Sequence, residues 1–577
     1  MTRRVLFSRP VIGERTWSLL LDAILLATLI AAIEGLLVLA RYWFGAVTPV
    51  AQITRSPSAL PVYAFYSVVR IAIAYLLSLI FAIGYGYIAA YNARLEGIMV
   101  AILDILQSIP VLSFLPGVML AMVALFPTRQ LGVEFGAILL IFTGQVWNMA
   151  FSFYASLKAI PRELIEASRI YRFGALQRFF QLELPYGAIG LVWNSMVSVA
   201  GGWFFLMACE MFVLGKRDFR LPGLGSYLQT AASAGDTAAI FWGLGAMIGV
   251  ILLIDQLVWR PAIAWSDKFK FEQVEAAAQP SSVVLNLLRR SRLLGRFRTA
   301  LWLPVSERLA RPQSCPTDAQ PSVLPLSRWK LIGAILAGTL LGGVILYALF
   351  AAIATLRGLN SVELLSTLRG AGATFLRVTA ALVIAAAWTI PAGVAIGFNP
   401  RFARFAQPFA QIAASIPATA LFPVLLLAVV KAGGGLGIGS VLLMLLGTQW
   451  YVLFNVIAGA MAIPSDLREV ADVFRFNEWE RWRTVILPGI FPYLVTGMVT
   501  ASGGAWNASI VAEYFHFKGQ TLATLGLGAQ ISSATDSGNF DLLLLSTIVM
   551  AALVVTVNRL LWRPLYRLAE TRFKLET

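Results

Sequence analysis

Pro161-Arg-Glu-Leu-Ile-Glu-Ala-Ser168 opens a polar island that runs through Gly174 to Leu184-Pro185, between two long apolar stretches. The island occurs twice: Pro464-Ser-Asp-Leu-Arg-Glu-Val-Ala471 opens a second one that reaches Leu487-Pro488. Duplicated polar islands between apolar segments point to a docking element on a membrane protein rather than to a catalytic centre. Leu164, Ala167, Ile170 and Tyr171 recur at helical spacing, and Leu467, Val470, Val473 and Phe474 repeat them, so each island holds a short amphipathic helix. Pro161 and Pro464 suit a first turn, where a missing N–H costs nothing, and Glu163 and Asp466 lie where the helix dipole favours acids. Gly174 and Asn477 are expected to end the two helices, since both residue types tolerate left-handed backbone. A solvated loop helix between two spans is the plainer alternative, and the duplication counts against it.

The rest of the composition agrees with a membrane protein. Of 577 residues 59% are hydrophobic and 13% charged, against about 25% charged in soluble domains. The net charge of +16 sits in short segments between apolar runs, the pattern of cytoplasmic loops near anionic lipid, and argues against nucleic acid as the partner. Cys209 and Cys315 imply no disulfide framework, and a single histidine, His516, leaves no His-based metal cluster. No Gly-x-x-x-x-Gly-Lys-Ser/Thr stretch is present to cradle a nucleotide phosphate, and no nucleophile, base and acid stand out. The chain is therefore expected to be no enzyme by itself and to hold no cofactor.

Apolar runs predict an all-α polytopic protein of about 12 transmembrane helices in two tandem six-helix repeats. The first repeat, 1–261, has expected spans at about 17–40, 65–90, 98–126, 132–157, 188–212 and 238–259. The second, 330–577, has them at about 331–356, 372–397, 405–432, 437–460, 491–515 and 540–561. The run at 17–40 is longer than a signal-peptide core and reads as a retained span, which puts both termini in the cytoplasm. Between the repeats, 262–329 is basic and proline-containing, a cytoplasmic linker that is either disordered or laid amphipathically on an anionic leaflet. Gly144, Trp147, Pro161, Glu166, Pro185, Glu210 and Gly223 recur 303 residues later, while Arg70 and Ser108-Ile-Pro110 recur 307 residues later. Isolated Pro, Glu and Gly kept in register signify tandem duplication. An even number of spans per repeat makes the halves parallel about a pseudo-twofold axis along the membrane normal.

Candidate path residues are the polar or strained ones inside spans: Ser108, Pro110, Gln145, Trp147, Asn148, Asn194 and Trp203, with Ser415, Pro417, Gln449, Trp450 and Trp506 in the second half. A packing role competes with each. Glu210 and Glu513 fall close to the outer span boundary, where solvation is the simple expectation. Arg70 and Arg377 fall at the outer start of the second span of each repeat, where positive charge is unusual; they are read as a pair that attracts an anion, with lipid anchoring the alternative.

The order Glu-Ala-Ser, followed by nineteen residues from Glu166 to Pro185 and repeated from Glu469 to Pro488, resembles the cytoplasmic coupling loop of permease subunits in bacterial ATP-binding-cassette importers. The Arg-Phe that follows in both copies is similar to the duplicated-permease branch near the nitrate, sulfonate, taurine and bicarbonate importers. Where that family carries glycine, six positions after the Glu, this sequence has Arg172 and Arg475. The resemblance implies docking of an ATP-hydrolysing subunit on Pro161, Glu163, Glu166, Ala167, Ser168 and Gly174, and on Pro464, Asp466, Glu469, Val470, Ala471 and Asn477. It further implies two cytoplasmic ATP-binding subunits that hold the ATP and Mg2+, an extracytoplasmic solute-binding protein, a small anion as solute, and a bacterial inner-membrane location. A secondary transporter and a non-transporting scaffold or sensor are the competing classes; the repeated island favours the ATP-driven reading.

Overall fold

The computed structural model describes residues 52–214, 217–269, 360–463, 465–517 and 520–572, with scattered residues between 22 and 45 and between 284 and 350. The expected first span of each half and the linker lie largely outside the described residues. The first half runs α1 (Leu60–Tyr91), α2 (Glu96–Ser108), α3 (Leu115–Leu125), α4 (Leu131–Lys158), α5 (Arg162–Ile170), α6 (Ala175–Arg178), α7 (Leu184–Glu210), a two-stranded hairpin of β1 (Val213–Leu214) and β2 (Arg217–Asp218), α8 (Leu224–Ala234), α9 (Thr237–Ile254) and α10 (Arg260–Ser266). The second half repeats that order: α11 (Ser361–Phe398), α12 (Pro400–Ser415), α13 (Ala418–Lys431), α14 (Leu436–Ala462), α15 (Ser465–Val473), α16 (Glu478–Arg481), α17 (Leu487–Ala512), a hairpin of β3 (Tyr514–Phe517) and β4 (Gln520–Ala523), α18 (Leu527–Ser537), α19 (Phe540–Val557) and α20 (Arg563–Arg572). From α5 onward, helix starts coincide at an offset of 303, and α2 and α12 end together at 307. The difference is absorbed over the third segment, the turn at 126–130 against 432–435, and the start of the next helix.

Among the described residues eight helices are long and apolar enough to cross a membrane, four in each half: Pro57–Tyr91, Leu131–Lys158, Ala175–Glu210 and Thr237–Ser266, then Ser361–Phe398, Leu436–Ala462, Glu478–Ala512 and Phe540–Ala569. At 1.5 Å per residue the 32-residue α1 is roughly 48 Å long, more than the ~30 Å hydrocarbon core, so its ends project beyond it. Large apolar side chains on outward faces, such as Ile80 at 70% and Val383 at 60% exposure, have no use in water and suit lipid. The protein is an all-α, multi-pass membrane protein.

The expected third spans, 98–126 and 405–432, are not continuous helices. Ile109 (ψ 132°) and Ile416 (ψ 119°) are extended because the following Pro110 and Pro417 exclude the helical region for the residue before them. Each third segment is thus two short helical pieces around a break, and the second piece of the first repeat begins with a 3-10 turn at Val111–Phe114. Conversely, Pro185 does not interrupt its helix. One wide π turn, Phe179–Glu183, carries α6 directly into α7, and Trp482–Ile486 carries α16 into α17. Further π turns at Asp255–Trp259 and Asn558–Trp562 join α9 to α10 and α19 to α20. All four end two residues before a proline, Pro185, Pro488, Pro261 or Pro564. Proline has no N–H to donate and its ring crowds the carbonyl four residues back, and a wider turn accommodates both without stopping the helix.

The halves meet through their broken third segments. The turn at Val111–Phe114 packs on α17, α2 packs on α19, and α13 packs on α7, α8 and α9. At the hairpin end, β3 lies against α8 and β1 against α18. The hairpin contacts, and those of Val111–Phe114 with α17 and of α13 with α7, are approximate twofold counterparts.

Candidate functional site

Each island folds as a helix closed by a left-handed residue. In α5 the Arg172 N–H donates to the Arg169 carbonyl and the Phe173 N–H to the Ser168 carbonyl, both at 2.9 Å. In α15 the Arg475 N–H donates to the Asp472 carbonyl at 3.1 Å and the Phe476 N–H to the Ala471 carbonyl at 3.0 Å. This paired closure is the Schellman motif, and its left-handed position is occupied by Arg172 (φ 53°) and Arg475 (φ 54°). The expectation that Gly174 and Asn477 are the left-handed stops is therefore wrong. Both are extended (φ −65° and −69°) and serve as N-caps of the next helical piece, the Asn477 side-chain Oδ1 accepting from the Glu480 N–H.

The turn divides the docking candidates. Glu163, Glu166, Asp466, Glu469, Val470 and Asn477 are exposed, and Pro161 and Ala167 are half-buried. Ser168, Ala471 and Gly174 are buried, so they shape the turn and present no contact surface. Pro464 lies outside the described residues. The expected apolar stripe also splits: Leu164 and Ala167 turn partly inward, while Ile170 (78%), Tyr171 (74%), Val473 (78%) and Phe474 (70%) stand in the open. Leu176 and Trp479 join them on the following piece. Two matched apolar patches flanked by acids on otherwise polar loops are the signature of an interaction surface. Sequence reasoning missed Ile170 and Val473 as contact residues because helical spacing alone does not say which side of a stripe is covered.

The path candidates do not form one lining. Trp203 and Trp506 are core residues, 2% and 1% exposed. Gln145 is buried against Gly202, and both its amide atoms lack a partner among the described residues. Within single repeats, Gln107 donates to Asn148 Oδ1 at 2.9 Å, Asn194 donates to Ser152 Oγ at 3.0 Å, and Trp388 donates to Gln449 Oε1 at 3.1 Å. Trp147 and Trp450 pack edge-on against Phe81 and Trp388. Pro110 and Pro417 are buried at the breaks; the Ser108 and Ser415 side chains are outside the described set. The side chains that do reach across the interface are others. Asn507 Oδ1 accepts from the Leu112 N–H at 3.4 Å, Gln411 donates to Met196 Sδ at 3.4 Å, and the Tyr451 hydroxyl lies next to Gly201. Tyr451 is the register partner of Asn148, so the two sides of the interface are chemically unequal.

At the hairpin end Arg70 is the centre of a sealed ion cluster. Its Nε and Nη2 donate to both Glu134 oxygens at 2.6 and 2.7 Å, and Nη1 donates to Glu210 Oε1 and the Pro222 carbonyl at 2.8 Å, with all three charged side chains fully buried. Glu210 also accepts from Ser67 Oγ and from the Gly225 N–H, which ties the end of α7 to the start of α8. Two expectations fail here. Glu210 is not solvated, and Arg70 offers no free charge to an approaching anion, because neighbours from two helices and a loop take up its donors. Glu513 is likewise buried, bound by Thr374 Oγ1 and the Gly528 N–H. Arg377 donates to Glu513, to the Leu525 carbonyl and to Thr524 Oγ1 at 2.7–2.8 Å, but keeps 17% of its side chain exposed.

Between the two hairpins a cavity of about 140 Å³ opens, lined by Leu112, Phe212 and Gln229 of the first half and by Tyr514, His516 and Asp536 of the second. Asp536 Oδ2 accepts from the Tyr514 hydroxyl at 2.7 Å and lies 3.0 Å from His516 Nε2, while His516 Nδ1 meets Thr521 Oγ1 at 3.0 Å. The hydrogen bond to Asp536 holds the imidazole pKa above its ordinary value. Nothing in the sequence linked His516 to Asp536, twenty residues on.

Residues 82–258 and 389–574 each match the family model described as "Binding-protein-dependent transport system inner membrane component". The nitrate import permease protein of Leptolyngbya laminosa is 26% identical over 188 residues, 33% of this chain and 64% of that protein. The bicarbonate transport system permease protein of Synechococcus elongatus is 27% identical over 187 residues, 32% of this chain and 64% of the relative. The taurine transport system permease protein of Escherichia coli is 26% identical over 182 residues, 31% and 62% of the two chains. Each match thus spans less than two thirds of the relative's own length.

Proposed function

Because the chain belongs to the family of binding-protein-dependent transport system inner membrane components, both of its halves matching the family model, we propose that it supplies both permease halves of an ATP-driven importer. In this reading 1–261 and 330–577 are parallel six-span repeats joined by a cytoplasmic linker at 262–329, in a bacterial inner membrane with both termini inside. Two ATP-binding subunits, which carry the ATP and Mg2+, dock on the islands, and an extracytoplasmic solute-binding protein delivers the solute. The solute is a small anion such as nitrate, bicarbonate or a sulfonate, the reading favoured by the names of the matched relatives.

The observation that carries the proposal is the duplicated helix-turn with its exposed Ile170-Tyr171 and Val473-Phe474 pairs. Its connection to the path gives a mechanism. Ala175–Glu210 is one continuous helix, so a push on the turn at Arg172 is carried without a joint to Met196 and Gly201 at the inter-repeat contact. Glu478–Ala512 does the same for Asn507. ATP-driven closure of the two partner subunits draws the islands together and tilts both fifth-segment helices, and the interface they line opens to alternate sides. No titratable group of this chain has to supply coupling energy.

Charge reversal tests the docking. Glu166→Lys and Glu469→Lys act on exposed helix positions away from lipid, so insertion is retained while affinity for the ATP-binding subunit, measured in detergent micelles, falls. Unchanged affinity in both variants contradicts the assignment; loss in one alone shows that the islands have diverged.

A further inference from the structure

We propose that the second repeat carries an oxyanion-binding niche at Arg377, in the space that a glutamate carboxylate fills in the first repeat. The two arginine sites are built alike. Each guanidinium donates through Nη1 to the carboxylate at the end of the fifth-segment helix, Glu210 or Glu513, and to the carbonyl just before the Gly-Leu-Gly turn, Pro222 or Leu525. They differ on the other edge. In the first repeat the Nε–Nη2 edge of Arg70 is covered by Glu134, whose two oxygens sit 2.6 and 2.7 Å from the two nitrogens. The register partner of Glu134, 303 residues later, is Gly437.

That exchange leaves the edge open. Arg377 Nη2 donates to Thr524 Oγ1 at 2.8 Å, and among the described residues Nε has no partner. A Cβ built on Gly437 would meet Thr524 Oγ1 at 3.9 Å and nothing else among the described residues within 4 Å, which locates the glycine beside the niche. Arg377 is 17% exposed where Arg70 is 0%, so the open edge is reachable. Glu134 displays the ligand the fork is shaped for: two coplanar oxygens about as far apart as those of a carboxylate, which nitrate and bicarbonate also present and which a sulfonate or a lipid phosphate reproduces with two of its oxygens. An anion there brings the second repeat to the charge of the first, one cation with two anions. The link between this niche and the transported solute rests on the import reading; binding by the isolated chain does not.

The full chain in nanodiscs of zwitterionic lipid is titrated with sodium nitrate, sodium bicarbonate or sodium ethanesulfonate at ionic strength held constant with sodium chloride, with binding read by calorimetry and thermal unfolding. At least one of the three is expected to bind saturably. Gly437→Glu, which restores the first repeat's internal carboxylate, weakens that binding by about tenfold or more, with unfolding in the absence of anion unchanged or shifted upward. Arg377→Lys, which keeps the charge and removes the fork, weakens it likewise and carries the test if Gly437→Glu does not fold. If anionic phosphatidylglycerol in the disc competes the added anion away, the occupant is a headgroup phosphate and the niche stands. No saturable binding of any of the three to folded protein, or binding undiminished in both variants, overturns the proposal. No ATP-binding subunit takes part, so failure here is separate from failure of the import reading, which is decided by uptake.

Discussion

Replacing Arg70 by glutamine removes the one cation from a site that holds two carboxylates, and the structure sets the scale of the damage. Arg70, Glu134 and Glu210 are all fully buried, and four charge-assisted or carbonyl hydrogen bonds converge on the guanidinium. Breaking a buried ion pair from one side costs about 3–5 kcal/mol, because the partner stays behind uncompensated. With two partners left behind, Arg70→Gln belongs at the upper end of that range. Arg377→Gln strands one carboxylate, Glu513, which still accepts from Thr374 Oγ1 and from the Gly528 N–H at 2.9 Å. Its cost is that of a lost hydrogen bond to a charged group, about 1.5–3 kcal/mol. At ~2–4 °C per kcal/mol for a unit of this size, Arg70→Gln, at about 5 kcal/mol, lowers the unfolding temperature of the chain in nanodiscs by roughly 10–20 °C and Arg377→Gln by roughly 3–12 °C. Adding Glu134→Gln to Arg70→Gln recovers part of the loss, since one stranded charge is gone. Refutation is simple: Arg70→Gln unfolding within about 2 °C of the parent, or an Arg377→Gln loss equal to that of Arg70→Gln, would mean that the sealed cluster does not hold the hairpin end together.

The glycines at the same site give a second test. A Cβ on Gly223 or Gly526 would overlap the Glu210 or Glu513 carboxylate, so Gly223→Ala and Gly526→Ala each raise hydrogen exchange at the start of α8 or α18, and unchanged protection contradicts the packing. The His516 clip gives a third, dependent on pH. Its partner Asp536 raises the imidazole pKa, so the stabilisation is complete below the ordinary value near 6.5 and fades as pH rises through the raised one. Tyr514 and Thr521, which also face this cluster, do not titrate in that range. Exchange of the Tyr514–Phe517 amides, corrected for intrinsic rate, therefore increases from about pH 6 to about pH 8.5, and His516→Gln flattens the increase.

How much of this was legible in the sequence follows from the range of each interaction. The duplication was legible because Pro161, Glu166, Pro185 and Glu210 are single residues kept in register, and the structure repeats its elements at that offset. The break at Ile109-Pro110 was legible because proline acts on the residue next to it. The π turns before Pro185 and Pro261 were not, since a proline after an apolar run reads as a boundary, and whether the helix stops or widens depends on packing beyond the local sequence. Glu210 read as solvated because its partner Arg70 lies 140 residues earlier on another helix. Arg172 did not announce a left-handed turn, because no local rule places arginine there; only its place where the resembling family has glycine pointed to it. The contact residues Asn507, Gln411 and Tyr451 depend on how two halves meet, which no single-repeat pattern encodes.

The central claim, that the two islands couple a partner's ATP hydrolysis to anion import, is tested most directly by uptake. The chain is reconstituted in proteoliposomes with the proposed ATP-binding and solute-binding partners, and accumulation of isotopically labelled nitrate or bicarbonate is followed with ATP and Mg2+ on the cytoplasmic face. The account predicts accumulation that requires hydrolysable ATP and is lost when Glu166→Lys and Glu469→Lys are combined in correctly inserted protein. Accumulation that proceeds equally without ATP, or that survives the double charge reversal unchanged, would contradict it.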